Sequence, residues 1–343
     1  MRMPWAAAYF LLFGESYLYH IQKEAFPLKY RVTLLAVCLL GALCLPVAAV
    51  SLTATEAANS APIAENLELT TYKNVAISGQ CAAVDPEGDL FTFQLVDRPA
   101  RGQVALQENG YFCYTPYENK KGKDTFTYVA VDANGNTSQE ATVKVTIEKP
   151  ATSVSYSDME GETSHYAALR LAERGIYVGE QVGDTYCFGP DETVTREEFL
   201  AMAMTAAGVD ALEDVTLTGF YDDDGISAWA KGYVSAALMS GTVQGSSNEA
   251  GQTVFNASQA ITATEAAVII DRLLAMGDVA TADTFSQDLV PTWAYQAVVN
   301  MDAVDVVSMT SPLSEPLTRG EAAEMLSAML DVLDSRDDGG WFW

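Results

Sequence analysis

Three times in the second half of this chain a Thr stands three residues before a Glu, at the head of an apolar helical pattern. The copies are Val194-Thr195-Arg196-Glu197-Glu198-Phe199, Ile261-Thr262-Ala263-Thr264-Glu265-Ala266 and Leu317-Thr318-Arg319-Gly320-Glu321-Ala322. The spacing is that of a capping box, in which the Thr hydroxyl accepts from the amide three residues on and the Glu reaches back to the cap amide. A motif that starts a helix three times at intervals of 56 to 67 residues, counted from Thr195 to Thr262 and from Thr262 to Thr318, predicts a repeated helical architecture. Helix initiation explains Thr and Glu. It does not explain Arg196 and Arg319, because a cation in the first turn meets the positive end of the helix dipole.

The rest of the repeat follows from periodicity. The units open with Tyr156-Ser157-Asp158, Tyr221-Asp222-Asp223 and Phe285-Ser286-Gln287, and Trp229-Ala230 and Trp293-Ala294 begin a first helix in the second and third. Ala168, Leu171 and Ala172, then Tyr233, Ala236 and Ala237, then Ala297, Val298 and Met301 mark short opening helices rich in small residues. Ala266, Ile269, Ile270, Leu273 and Leu274 form a continuous stripe at three- and four-residue spacing, as do Ala322, Met325, Leu326, Met329, Leu330 and Leu333. A helix–loop–helix unit cannot bury its apolar face alone, so three units are expected to share one central bundle. The expected repeats are 156–210, 219–277 and 284–334, after a polar linker at 150–155 and before an acidic and aromatic tail at 335–343.

At 343 residues the chain has room for two or three domains with cores of their own. A hydrophobic fraction of 49% and five Cys exclude a disordered or disulfide-built protein. A formal charge of -27 disfavours nucleic acid as a partner, since phosphates need a basic face. Two His, His20 and His165, leave almost no material for His-based metal sites or Ser/His and Cys/His catalysis.

The first 58 residues read as a leader. Lys29-Tyr30-Arg31 precedes an apolar run at 32–50, so that 29–50 forms the core of a secretory signal peptide, with small residues at Ala49, Ala54 and Ala57 suited to cleavage. Cleavage would leave no stable membrane span; the alternative is a retained anchor, for which the run is barely long enough. Residues 1–28, with a second apolar patch at 5–13, sit awkwardly ahead of it, and the translation start is expected near Leu28.

Between 61 and 149 the period changes to two. Val143, Val145 and Ile147 alternate with Thr142, Lys144 and Thr146. Further strands are predicted at 74–78, 90–96, 103–106, 111–115 and 125–131, separated by Asp85-Pro86-Glu87-Gly88-Asp89, Asn109-Gly110 and Asp132-Ala133-Asn134-Gly135. Short strands at this spacing predict an all-β sandwich. With Pro99-Ala100-Arg101-Gly102-Gln103-Val104, Gly110-Tyr111-Phe112-Cys113-Tyr114-Thr115-Pro116 and Gly122-Lys123-Asp124-Thr125-Phe126-Thr127-Tyr128, the segment resembles the bacterial Ig-like and cadherin-like repeats of surface proteins. That resemblance implies a spacer or adhesive module. Asp85, Glu87, Asp89 and Asp132 could supply oxygen ligands to Ca²⁺, or could serve as good turn formers. Cys81 and Cys113 are open to a disulfide or to two separate half-buried thiols. Cys187 has no evident partner.

The helical half resembles the S-layer homology family of cell-wall anchoring domains, through the aromatic-x-Asp opening, Trp-Ala, Gly175-Ile176, Phe188-Gly189-Pro190 and Thr-Arg-x-Glu. The resemblance implies a three-lobed assembly whose inter-repeat grooves bind secondary cell-wall polysaccharide, often carrying pyruvate ketals. A ketal carboxylate suits the two unexplained arginines, since Arg can grip it with two parallel charge-assisted hydrogen bonds. On this reading Arg196 and Arg319 hold the carboxylate, Trp229 and Trp293 form sugar platforms, and Asp158 and Asp223 orient hydroxyls. The alternatives are core packing for the Trp residues, capping or turn formation for the Asp residues, and a solvated or Glu-paired side chain for each Arg. Thr163 stands at the Trp position of the first repeat, Ala263 replaces Arg in the second, and Gln287 and Asp305 replace Asp and Gly in the third.

The expected function is non-enzymatic attachment of a secreted bacterial surface protein to the wall glycan, without a required cofactor. Adhesion through the β-sandwich, with the helical half as tether, is a second class. A wall-glycan hydrolase ranks third, because no spacing singles out a catalytic carboxylate pair.

Overall fold

The computed structural model describes residues 59–280, 290–308 and 312–337. The leader with its signal core, the opening Phe285-Ser286-Gln287 of the third repeat and the terminal Trp341-Phe342-Trp343 lie outside the described residues.

Residues 59–149 form a sandwich of short strands: β1 (Ile63–Ala64), β2 (Leu67–Tyr72), β3 (Ile77–Gln80), β4 (Ala83–Val84), β5 (Phe91–Leu95), β6 (Gly102–Leu106), β7 (Tyr111–Pro116), β8 (Gly122–Asp132) and β9 (Ala141–Glu148). One sheet runs β2-β9-β8-β5 and the facing sheet β3-β7-β6, with β1 and β4 paired separately. Alternation fills the space between them: Phe112 and Tyr114 from β7, Phe126 and Tyr128 from β8, and Val143, Val145 and Ile147 from β9 are all buried. The predicted strand at 74–78 begins three residues later, because Asn74 takes a left-handed φ of +66° and closes a turn. β2 escapes a period-two search, since Leu67-Glu68-Leu69 is followed by Thr70-Thr71; its order comes from parallel pairing with β9.

The resemblance motifs prove to be joints of this sandwich. The Asp124 carboxylate accepts from the Ala100 and Arg101 amides at 2.9 and 2.8 Å and from the Tyr114 hydroxyl at 2.7 Å. A Cβ on Gly102 would stand 2.6 Å from the Thr115 carbonyl oxygen, so the start of the β6–β7 pairing needs glycine. Cys81 and Cys113 are free thiols. Cys113 lies between the core-facing Phe112 and Tyr114 and so points to the opposite face, whereas Cys81 is buried in the core. The two sulfurs thus lie on different sides of the sheet, which settles the open alternative in favour of separate thiols.

The helical half contains α1 (His165–Glu173), a hairpin β10–β11 (Glu180–Val182, Thr185–Cys187), α2 (Arg196–Ala206), α3 (Lys231–Ser240), a second hairpin β12–β13 (Ser246–Ser247, Thr253–Val254), α4 (Ala263–Leu274), α5 (Tyr295–Asp302) and α6 (Arg319–Asp337). All three capping boxes form. Glu198, Glu265 and Glu321 each accept from the backbone amide of their Thr, at 2.9, 3.2 and 2.8 Å. Just before these helices the three segments join into a closed cycle of backbone hydrogen bonds. The Val194 amide donates to Leu317 O at 3.1 Å, Leu317 to Ile261 O at 2.8 Å, and Ile261 to Val194 O at 3.0 Å. This is a pseudo-threefold axis written in the main chain. Around it pack Phe199, Leu200 and Met204 of α2, Ile269 and Ile270 of α4, and Leu326, Met329 and Leu330 of α6, in one continuous core.

The same rotation relates the opening helices. Thr163, Trp229 and Trp293 each immediately precede the N-cap residue, Ser164, Ala230 or Ala294. Seven residues after each cap lies Leu171, Ala237 or Met301, whose carbonyl receives the amide of Ile176, Val243 or Val306. Gly175 precedes Ile176 with φ of +66°; Asp305 precedes Val306 with φ of +57°. The third repeat therefore keeps the left-handed turn without glycine, at a conformational cost. Among the described residues no helix is long and apolar enough to cross a membrane.

Candidate functional site

The capping box fixes Arg319 at the first position of α6, and the closed ring sets that helix start beside the loop that follows α1. The Arg319 guanidinium bonds the Phe188 carbonyl at 2.7 Å, pairs with Glu192 at 2.8 Å and stacks over Tyr177, 5.5 Å from the ring centre. Its side chain is only 15% exposed. Burial raises the Tyr177 hydroxyl pKa, against the opposing pull of the Arg319 charge.

Arg319 lines a groove of about 340 Å³ between α2 and α3. Ile176 and Tyr177 close one end, and Glu198, Ala201, Met202 and Thr205 of α2 form the floor. Trp229, just before α3, and Tyr233 of α3 line its other side. Trp229 is 54% exposed, so it is a groove wall and not the core residue that its place at a helix start also allowed. Tyr233 lies one turn further along the same face, its hydroxyl 3.3 Å from that of Thr205. The groove thus combines a cation held at a helix N-terminus, an open indole face, two phenols and one carboxylate. That inventory can hold an anionic group and lie flat against an apolar ring face.

The threefold rotation carries Arg319 onto Arg196 and Trp229 onto Trp293. Arg196 pairs with Glu265 at 2.9 Å and lies 5.5 Å over the Phe255 ring; its side chain is 19% exposed and its buried Nε has no partner. Trp293 is 61% exposed. In the third position Ala263 lines a cavity of about 320 Å³ with Val306, Glu321 and Met325, where no Arg stands.

The aspartates do other work. Asp158 accepts from the Phe188 and Gly189 amides at 3.0 and 2.7 Å and from the Cys187 thiol at 3.1 Å. Burial opposes its ionisation, but these hydrogen bonds outweigh burial and hold its pKa below the usual range. The residue that repeats this arrangement is Asp222, which accepts from the Phe255 and Asn256 amides at 2.8 and 2.7 Å. The register placing Asp223 opposite Asp158 is therefore off by one: Phe220 and Asp222 match Tyr156 and Asp158. Two adjacent aspartates left the sequence ambiguous, and the buried Phe220 resolves it, its ring 5.5 Å from that of Phe255 as the Tyr156 ring is 5.4 Å from that of Phe188. Asp223 instead accepts from the Thr218 amide and hydroxyl, both at 2.7 Å, and from Lys231 at 2.5 Å. The Lys231 and Thr218 hydrogen bonds bring its carboxyl down to about 2.

In the sandwich, Asp85 accepts from the Glu87 and Asp89 amides, and Asp132 from the Asn134 and Asn136 amides, which makes both of them turn carboxylates. Glu87 accepts from Ser60, and Asp89 from the Asn134 side chain. Among the described residues no group of three or more His, Cys, Asp or Glu side chains is arranged to hold a metal ion.

Sequence reasoning missed Tyr177, Tyr233 and Glu192. Tyr233 had a signal, four residues after Trp229 on one helix face; Glu192 had none, because its partner lies in the last repeat.

The chain is 28% identical over 122 residues to the surface-layer 125 kDa protein of Lysinibacillus sphaericus, a match over 35% of this chain. It spans about a tenth of that protein's length. Solved structures similar in part include an endo-fucoidan hydrolase of glycoside hydrolase family 107, at 22% identity and TM-score 0.22 over 28% of this chain and 14% of that one. The fibronectin(III)-like modules of Clostridium thermocellum CbhA align at 16% identity and TM-score 0.19, over 26% of this chain and 47% of that one. Residues 59–149, the β-sandwich, match the family model of the bacterial cadherin-like domain.

Proposed function

We propose that the helical half binds an anionic saccharide of the bacterial cell envelope in the groove between α2 and α3, and thereby attaches the chain to the cell surface without a covalent bond. The observation that carries this reading is that Arg319 and the exposed Trp229 line one groove, although they come from different repeats. Arg supplies planar, paired donors to a carboxylate, and the indole supplies an apolar platform for the adjoining sugar ring. The likeness to a surface-layer protein and the cadherin-like domain ahead of the bundle support a surface location. The resemblance to the S-layer homology family supports wall polysaccharide, carrying pyruvate ketals, as the ligand. The net charge of -27 repels an anionic polymer at long range, but salt screens that repulsion beyond about 10 Å while the contact with Arg319 persists.

This is a binding activity and not a hydrolytic one. The cadherin-like sandwich supports a companion role in contacting other surface proteins. The test is sedimentation of the full chain with isolated cell walls, before and after chemical removal of pyruvate. Loss of binding in Arg319→Ala with helicity intact supports the groove, and undiminished binding to pyruvate-free walls overturns the ketal as ligand.

A further inference from the structure

The three repeats are related by the pseudo-threefold axis, yet one position lacks four of the side chains that equip the α2–α3 groove. Where the α2–α3 groove has Trp229, Tyr233, Thr205 and Arg319, rotation places Thr163, Ala167, Ala328 and Ala263. The cation and both aromatic rings among these four have become small, while the Glu and Met of the helix floor persist as Glu321 and Met325. Three of these four replacements, Thr163, Ala167 and Ala328, share a cleft of about 430 Å³ whose opposite wall is the β-sandwich, through Ser78, Gly79 and Gln80 of β3 and Tyr111 of β7.

Beside that cleft the sandwich is fastened to the bundle. Tyr72, Val75 and Leu169 bury one another in a small apolar cluster of their own, with Tyr156 and Tyr166 packed against it. The Tyr72 and Tyr166 rings lie 4.9 Å apart. The Tyr72 hydroxyl donates to Glu173 at 2.5 Å, and the other oxygen of that carboxylate accepts from the linker amides of Ala151 and Thr152. The linker at 150–155 is therefore strapped to the end of α1.

We propose that the third groove is the seat of the cadherin-like sandwich, an internal interface in place of a ligand site. Its small residues leave room for the edge strand β3 and the first residue of β7, and the Tyr72–Leu169–Glu173 clasp holds that edge in position. The sandwich then projects from the bundle in one fixed direction and covers the Thr163, Ala167 and Ala328 side of the third groove, while the α2–α3 groove stays open. This inference rests on the pseudo-symmetry and the clasp and does not depend on what the α2–α3 groove binds.

Backbone ¹⁵N relaxation of the full chain tests it. The expected result is one rotational correlation time shared by strand and helix amides. Leu169→Asp and, from the other side, Val75→Asp should each split it into two, with circular dichroism unchanged. Thr163→Trp adds a ring current at the seat and should shift the amide resonances of Ser78, Gly79 and Gln80. Two correlation times in the unaltered chain, a single one in both Asp variants, or unmoved β3 resonances with Thr163→Trp would each overturn the proposal.

Discussion

The Arg319 guanidinium lies over the Tyr177 ring at 5.5 Å, although the two residues belong to the last and first of three helical repeats. Neither repeat alone contains this pair. It exists because the segment before α6 pairs with the segment before α2, which brings the end of the bundle back to its beginning. The candidate site is thus a product of ring closure and requires all three repeats to be folded.

Arg319→Ala should weaken binding to pyruvylated wall polymer by roughly ten- to a hundredfold, the range for losing a charge-assisted hydrogen bond of about 1.5–3 kcal/mol. Arg319→Lys should recover part of this loss, since it keeps the charge but lacks the paired planar donors. Isothermal titration against purified polymer separates the variants, and equal affinities for all three proteins would remove Arg319 from the site.

Asp158→Ala and Asp222→Ala should cost similar amounts of stability, about 1–3 kcal/mol, since each strips the acceptors from two loop amides. Urea unfolding of the two variants checks the equivalence. A large loss in one and none in the other would contradict the shifted register.

The Asp223 carboxyl titrates near 2 in the folded chain, against 3.8 ordinarily. A depressed pKa contributes stability above the unfolded value and loses it as pH falls through the folded one. The contribution of Asp223 should therefore be complete above about pH 4 and vanish towards pH 2. Asp223→Asn should unfold earlier than the unaltered chain at pH 5, and the gap should close on acidification; a gap independent of pH would rule out the ion pair with Lys231.

Burial pushes the Cys81 thiol up to about 12, leaving almost no thiolate at neutral pH. In the native state Cys113 should be alkylated well before Cys81, and mild oxidation should produce no Cys81–Cys113 bridge. Peptide mass spectrometry reads both results directly.

Much of this was legible in sequence for local reasons. A capping box involves four consecutive residues, so Thr195, Thr262 and Thr318 announced their helices. Alternation announced β9, where Val143, Val145 and Ile147 all turn inward. What escaped was non-local. Leu169 and Tyr166 look like stray apolar positions on the outer side of α1, and only the sandwich packed against them explains their burial. Glu192 reads as an ordinary loop acid until Arg319 arrives from 127 residues further on. Asp222 and Asp223 could not be told apart without the loop amides they serve.

The cycle of hydrogen bonds through Val194, Ile261 and Leu317 has a consequence for how this bundle can change over time. In an open stack, units can be gained or lost at either end, and the outermost ones need special surfaces. A closed triangle has no outermost member, so each unit protects the next. A fourth unit would find no free place, and deletion of one would expose the other two. Difference is then confined to what hangs from each corner, and here the corners differ: one sets Arg319 and Trp229 on a single groove, and another has Ala263 and Thr163 in their places and faces the β-sandwich.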